Sequence, residues 1–192
     1  MQVTLKNVRL AFPAIAAPQA FGDGEPAYGA KLIIEPDSAA VDILEDAIKK
    51  EADVKWSSKA GTVLKRLERD GKIAFVKDEY RSKKTDEPYA GFEGMYYANT
   101  RNAKDQPTVF TKFGEKITNK SEIERLAYSG AYVNASVDVW AMDNKWGQRV
   151  NCSLRGIMLT GEGENFGGGN GSATENDFAD LFDDAPEAED VL

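Results

Sequence analysis

Apolar and polar residues alternate along most of the first 160 positions, and the alternation predicts short strands. In VTLKNVRLAF, Val3 and Leu5 share one face, whereas Val8, Leu10 and Phe12 share the face of opposite parity. The switch falls at Lys6 and Asn7 and predicts a bulge or sharp coil there. Pro13 and Pro18 are expected to end this strand, because proline brings no N–H to a ladder. A Gly-Asp-Gly turn signal at 22–24 then leads into YGAKLIIE. There Tyr28, Ala30, Leu32 and Ile34 alternate with Lys31 and Glu35.

The period changes in DSAAVDILEDAIKKEADVKW. Val41, Leu44, Ala47 and Ile48 form one apolar stripe, Asp37 or Ser38 is placed to cap, and Lys49 and Lys50 suit the later turns of a helix. A second short helix is expected over TVLKRLERD, ended by Gly71. KIAFV and TVFTKF read as strands and KSEIERL as a short helix, while the mixed, least regular stretch from 78 to 106 reads as an exposed basic loop and then a strand near GMYYANT.

The clearest pattern is YVNASVDVWAMDNKWGQRVNCSLRGIML, a hairpin with DNKWGQ at its turn. Val133, Ala135, Val137, Val139 and Ala141 make one face, and Val150, Cys152 and Leu154 answer them on the return strand. A turn centred between Lys145 and Trp146 puts Trp140 opposite Asn151, on the polar face. About seven short strands and two or three helices follow in all, with no internal repeat. The fold class is mainly β with a few helices (α+β), a small antiparallel barrel or sandwich.

From Gly161 the periodicity stops. GEGENFGGGNGSATEN is a flexible linker by composition, so the chain divides into a body over 1–160 and a linker with an acidic, disordered tail over 161–192. Ten of the chain's 32 acids lie in 162–192, with no base among them. The remaining 22 acids face 24 bases, so a formal charge of -8 resolves into a body of +2 and a tail of -10. That split predicts a cationic site on the body and an acidic interaction segment. Within the tail, Phe178, Leu181 and Phe182 are spaced i, i+3, i+4 with Asp177 placed to cap. A plain solubilising spacer needs no such residues, so they are expected to dock into a partner's groove.

Histidine is absent, which removes the commonest general base and the imidazole of most zinc sites. The single cysteine, Cys152, forms no internal disulfide and fits a reducing compartment. No apolar run suits a membrane span, and the N-terminus lacks a signal-peptide pattern, so a cytosolic protein is expected. No cofactor and no metal site are expected. The carboxylates and lysines of DEYRSKKTDEP resemble parts of a metal nuclease, but they lie on a loop rather than on rigid elements that converge. GEGENFGGGNG lacks the Lys and Ser/Thr of a phosphate loop.

What remains is aromatic residues interleaved with bases. Tyr80, Arg81, Lys83, Lys84, Tyr89, Phe92, Tyr96, Tyr97, Arg101 and Lys112 lie between 80 and 116, and Trp140, Lys145, Trp146, Arg149 and Arg155 lie on the hairpin. Single-stranded nucleic acid asks for this combination, because cations track its phosphates and flat side chains stack on its exposed bases. The bland alternative for each tyrosine and phenylalanine is the core. Strand parity sends Trp140 to the polar face, and Trp146 sits at a turn.

The order of these pieces resembles the single-stranded DNA-binding proteins of tailed bacteriophages. The resemblance rests on VTLKNVRLAFPAI, AKLIIEPDSAAVDILEDAIKKEADVKW, GMYYANTR, the hairpin sequence and the tail, so it spans most of the chain. It implies an OB-type antiparallel barrel with inserted helices and a disordered tail. It also implies sequence-tolerant binding of single-stranded DNA without catalysis, in DNA replication or recombination, in the cytoplasm of an infected bacterial host. The tail is implied to recruit phage or host replication proteins. This chain ends EDVL rather than on an aromatic residue, which moves the docking role onto Phe178 and Phe182. Self-association is compatible with this reading, while a strand-annealing recombination protein and a carbohydrate- or protein-binding β-domain stand as alternatives to be separated by experiment.

Overall fold

The computed structural model of the chain describes residues 1–20 and 24–166. The tail residues Phe178, Leu181 and Phe182, and most of the predicted turn at 22–24, lie outside the described residues.

Strand β1 (Gln2–Gln19) is the spine of the fold, and its course follows from the parity switch in its sequence. Leu5 pairs with Ala135 and Val8 with Val133, so β1 spends one more residue than its partner. Asn7 absorbs the extra residue at φ 53, and its N–H donates to Asn134 Oδ1 at 3.0 Å. The bulge turns Leu5, Val8 and Leu10 toward one core despite their odd spacing, each 2% exposed or less.

The prolines do not end β1, contrary to the sequence expectation. The strand passes Pro13 and Pro18 because its register breaks there, between Ala11 and Ala14 and again between Ala14 and Gln19. Prolines are tolerated at such breaks because no ladder N–H is required of them. Phe12, at φ 49 in the first break, donates its N–H to Ser129 Oγ instead.

The other strands are β2 (Ala27–Ile34), β3 (Phe75–Val76), β4 (Tyr96–Asn102), β5 (Thr108–Phe110), β6 (Lys116–Ile117), β7 (Tyr132–Asn144) and β8 (Gly147–Gly161). They form one sheet in the order β3-β4-β2-β1-β7-β8-β5-β6. Neighbours are antiparallel except β5 and β8. The predicted hairpin register holds, with Trp140 opposite Asn151 and Asn144 opposite Gly147.

The sheet curls until the chain just before β3 meets β8. Ala74 N–H donates to Val150 O at 2.9 Å, and Val150 N–H donates to Lys72 O at 3.0 Å. That parallel bridge, Ile73 to Val150, is no continuous ladder. The OB-type barrel is therefore a curled, mostly antiparallel sheet and not a closed barrel. Its five long strands, β4-β2-β1-β7-β8, have the curl of a partly open five-stranded barrel.

Helix α1 (Ala39–Trp56) lays the predicted stripe of Val41, Leu44, Ala47 and Ile48 into the core, extended by Ala52 and Trp56. Ser38 stands at its N-cap, but its hydroxyl donates back to Glu35 O at 2.7 Å. A short 3-10 turn joins α1 to α2 (Ala60–Arg69), which ends before Gly71 at φ 64. Helix α3 (Lys120–Leu126) is capped by Asn119, whose Oδ1 accepts from Glu122 N–H. Cys152 is a core residue, and burial pushes its thiol up to about 12. Among the described residues, no helix is long and apolar enough to cross a membrane.

Candidate nucleic-acid interface

Register alone decides what the outer face of β2 and β4 carries. Leu32 pairs with Ala98 and Ala30 with Thr100, and all four are buried. The alternate pairs, Ile33 with Tyr97, Lys31 with Asn99 and Gly29 with Arg101, therefore point the other way.

The segment from 78 to 95 folds over this face instead of standing off as an exposed basic loop. Arg81 bridges Pro88, Ser82 N–H donates to Glu87 O at 2.8 Å, and Tyr89 N–H donates to Tyr80 O at 2.9 Å. The miniature hairpin stacks Tyr80 on Tyr89, with centroids 5.0 Å apart and planes 17° from parallel. Phe12 meets both edge-on, at 6.0 and 5.5 Å, and Tyr97 meets Tyr80 edge-on at 5.3 Å. A second small core of Ala11, Ile33 and Phe92 anchors this layer to the sheet.

Between the tyrosines and β2 lies a cleft of about 500 Å³, lined by Phe12, Tyr28, Lys31, Tyr80, Tyr89 and Arg101 among others. Lys31 Nζ sits 3.9 Å from the Tyr80 centroid and 4.9 Å from that of Tyr97, and it donates to Asn99 Oδ1. Burial pushes its ammonium down to about 8. Among the described residues no carboxylate forms an ion pair with it. The ring faces offset part of the desolvation through cation–π attraction. The tyrosine hydroxyls are raised too, Tyr80 by burial and then Tyr89, Tyr97 by burial and then Tyr80 and Asp78.

The residues singled out by sequence fall into three groups. Tyr89, 39% exposed, and Arg101, whose Nη2 donates to Glu25 O, line the cleft, and Tyr97 stands beside it. A second patch lies on the β7–β8 hairpin. Trp146 at its tip is 75% exposed with Lys145 Nζ 5.0 Å from its ring, and Trp140 is 38% exposed with its indole N–H donating to Ser153 Oγ. Arg149 is exposed on the parity of Asn151, and Arg155 is exposed at a register break of β8. Val139 N–H bonds to Met1 O, whereas the cleft lies at Phe12. Eleven residues of β1, roughly 35 Å of strand, thus lie between the cleft and the end of the second patch nearest Trp140.

The third group stands apart from both. Phe92 is fully buried, so no base reaches its ring, and Tyr96 faces the main core edge-on to Phe75. Arg81 is held by Glu79 and by Asp86 O, whereas Lys83 and Lys84, exposed on the same small hairpin, form no ion pair among the described residues. Lys112 sits on the β5–β6 turn, 5.1 Å from the ring of Phe113, beyond the β8 side of the sheet.

Sequence reasoning passed over Lys31, Asn99 and Phe12 as site residues. The available signal was a lysine inside the apolar run AKLII, placed in the middle of a strand rather than at its end.

The family described as Enterobacter phage Enc34, ssDNA-binding protein, matches residues 1–192. Putative protein p50 of Acyrthosiphon pisum secondary endosymbiont phage 1 is 32% identical over 185 residues, covering 94% of each chain. The single-stranded DNA-binding protein from bacteriophage Enc34, solved in complex with ssDNA, superposes with a TM-score of 0.70 at 21% identity, over 86% of this chain and 89% of that one. Gp2.5, a single-stranded DNA-binding protein encoded by bacteriophage T7, superposes with a TM-score of 0.55 at 16% identity, over 100% of this chain and 98% of that one. With a whole-length family match and a relative above 30% identity, the chain belongs to the Enc34-type family of phage single-stranded DNA-binding proteins.

Proposed function

We propose that this chain binds single-stranded DNA without strict sequence preference, as a non-catalytic protein of phage DNA replication or recombination in the cytoplasm of the infected host. The observation that carries the reading is Lys31. A half-buried ammonium that forms no ion pair among the described residues, seated between tyrosine rings at a cleft, suits an anion flanked by flat groups. A nucleotide supplies both, a phosphate for the cation and a base for the rings. Arg101 extends the charge at the cleft. Trp140, Lys145, Trp146, Arg149 and Arg155 make a second contact, so one strand bound at both sites is held along the outer surface.

The acidic segment beyond the body competes with DNA for these cations and recruits replication proteins through Phe178, Leu181 and Phe182. Its support is the charge split and the spacing of the three apolar residues. Replacing Phe178 and Phe182 with alanine separates the roles: recruitment drops while DNA binding stays.

The deciding experiment is a salt titration of oligonucleotide binding, single against double strand. Affinity is expected to fall steeply with salt through counterion release and to favour the single strand. Binding that ignores salt would sink the proposal.

A further inference from the structure

Composition assigns residues 161–166 to a flexible linker, yet Glu162–Phe166 is clamped to the body. Tyr128 Oη donates to Gly163 O at 2.9 Å and accepts from Gly163 N–H at 3.1 Å. Arg9 Nη2 donates to Glu164 O at 3.2 Å, its Nε donates to Gly130 O, and its guanidinium carbon lies 4.2 Å from the centre of the Phe166 ring. Phe166 N–H donates to Ser129 O at 3.0 Å.

The body is shaped to receive this strap. A Cβ on Gly91 would collide with the Phe166 ring, one on Gly130 with Glu164 O, and one on Gly163 with Gly130 O. Phe166 packs against the small core of Ala11, Ile33 and Phe92, and closes a recess of about 240 Å³. Phe12 and Tyr89 line that recess and also the cleft above Lys31, so one wall separates strap from cleft.

We infer that Phe166 is a positioning residue for the DNA site: it wedges the 78–95 hairpin onto the sheet and so holds Tyr89 where the cleft needs it. The inference rests on the DNA-binding reading above for its functional half only. Its structural half is that the strap orders the tyrosine hairpin.

The test uses the full chain with Phe166→Ala, Phe166→Leu, Tyr89→Ala and the double variant. Two readouts are taken, amide hydrogen exchange at Tyr89, Phe92 and Met95, and affinity for an oligo-dT strand. Phe166→Ala is expected to speed exchange at those three amides and to weaken DNA binding about ten-fold, with Phe166→Leu restoring part of both. The double variant is expected to bind no more weakly than Tyr89→Ala alone, because the wedge acts through Tyr89. A general loss of stability would instead make the two losses multiply. Unchanged exchange in Phe166→Ala overturns the inference whatever DNA does, and so does a multiplicative double variant. Faster exchange together with DNA binding that is indifferent to Tyr89→Ala retains the strap and removes the cleft from the DNA site.

Discussion

Lys31 Nζ lies 3.9 Å from the centroid of the Tyr80 ring, and the same ring stacks on Tyr89 at 5.0 Å. Cation and rings therefore form one continuous unit on the outer face of the sheet. The consequences for binding, pH response and stability follow from that unit.

In the folded protein Lys31 releases its proton near pH 8, below its ordinary 10.5. Between those values the unfolded chain keeps the proton and the fold does not, so this group's contribution to stability rises with pH across the window. A phosphate favours the charged form, so DNA binding takes up a proton in the same window. Affinity measured at constant ionic strength is expected to fall as pH rises through about 8. Lys31→Arg, charged at every accessible pH, should remove that fall. A wild-type affinity that is flat from pH 7 to 9 would rule out Lys31 as a phosphate contact.

Lys31→Met should trade function for stability. Methionine keeps the length and apolar stem but needs no solvation at its tip. Replacing a half-buried ammonium that forms no ion pair among the described residues is expected to stabilise the fold at pH 7 by about 1 kcal/mol, or ~2–4 °C in Tm. DNA affinity is expected to fall in the same variant. Thermal unfolding and strand binding measured on one preparation test both, and a lower Tm would contradict the electrostatic account.

Tyr89 and Phe92 should separate cleanly although only three positions apart. Tyr89 is 39% exposed and Phe92 0%. Tyr89→Ala should weaken strand binding by ~1–3 kcal/mol at little cost in stability. Phe92→Ala should destabilise the fold by ~3–5 kcal/mol, read as a drop in denaturant midpoint. Equal stability of the two variants would mean that the hairpin layer is not packed as described.

Among the tryptophans, Trp146 should carry the optical response to DNA. Trp56 is buried with its indole N–H donating to Asp143 Oδ2, and Trp140 is tied to Ser153, whereas Trp146 is 75% exposed. Fluorescence quenching on saturation with oligonucleotide should largely disappear in Trp146→Phe titrated alongside wild type. Full quenching in that variant would move the hairpin contact to Trp140.

Removing residues 167–192 deletes eight acids and leaves the clamped strap in place. Strand affinity is expected to rise, most at low salt, since a tethered anion competes through effective concentration and is screened by salt. Identical affinities at every salt concentration would show that the acidic segment does not visit the site.

Local sequence determined the elements whose pattern is periodic. The β7–β8 register was legible because a period of two on both strands and a two-residue turn admit one pairing that buries both apolar sets, with Trp140 opposite Asn151. The α1 stripe and the bulge at Asn7 were legible for the same reason, since parity or a 3.6 period leaves one face for the core. Tertiary structure alone decided the rest. Residues 78–95 have no period, so nothing local separates Phe92, fully buried, from Tyr89, exposed; contact with Ala11 and Ile33 makes that choice. Pro13 reads as a strand end until the register break opposite Gly29 removes the need for its N–H. Lys31 is one polar position in β2 until Tyr80, 49 residues later, covers it. Phe166 sits in a composition that reads as linker, and only Arg9, Ser129 and Gly91 give it a seat. Periodicity reports which face of an element is apolar, whereas a site is made where distant faces meet, and that meeting is a property of the curled sheet as a whole rather than of any one segment.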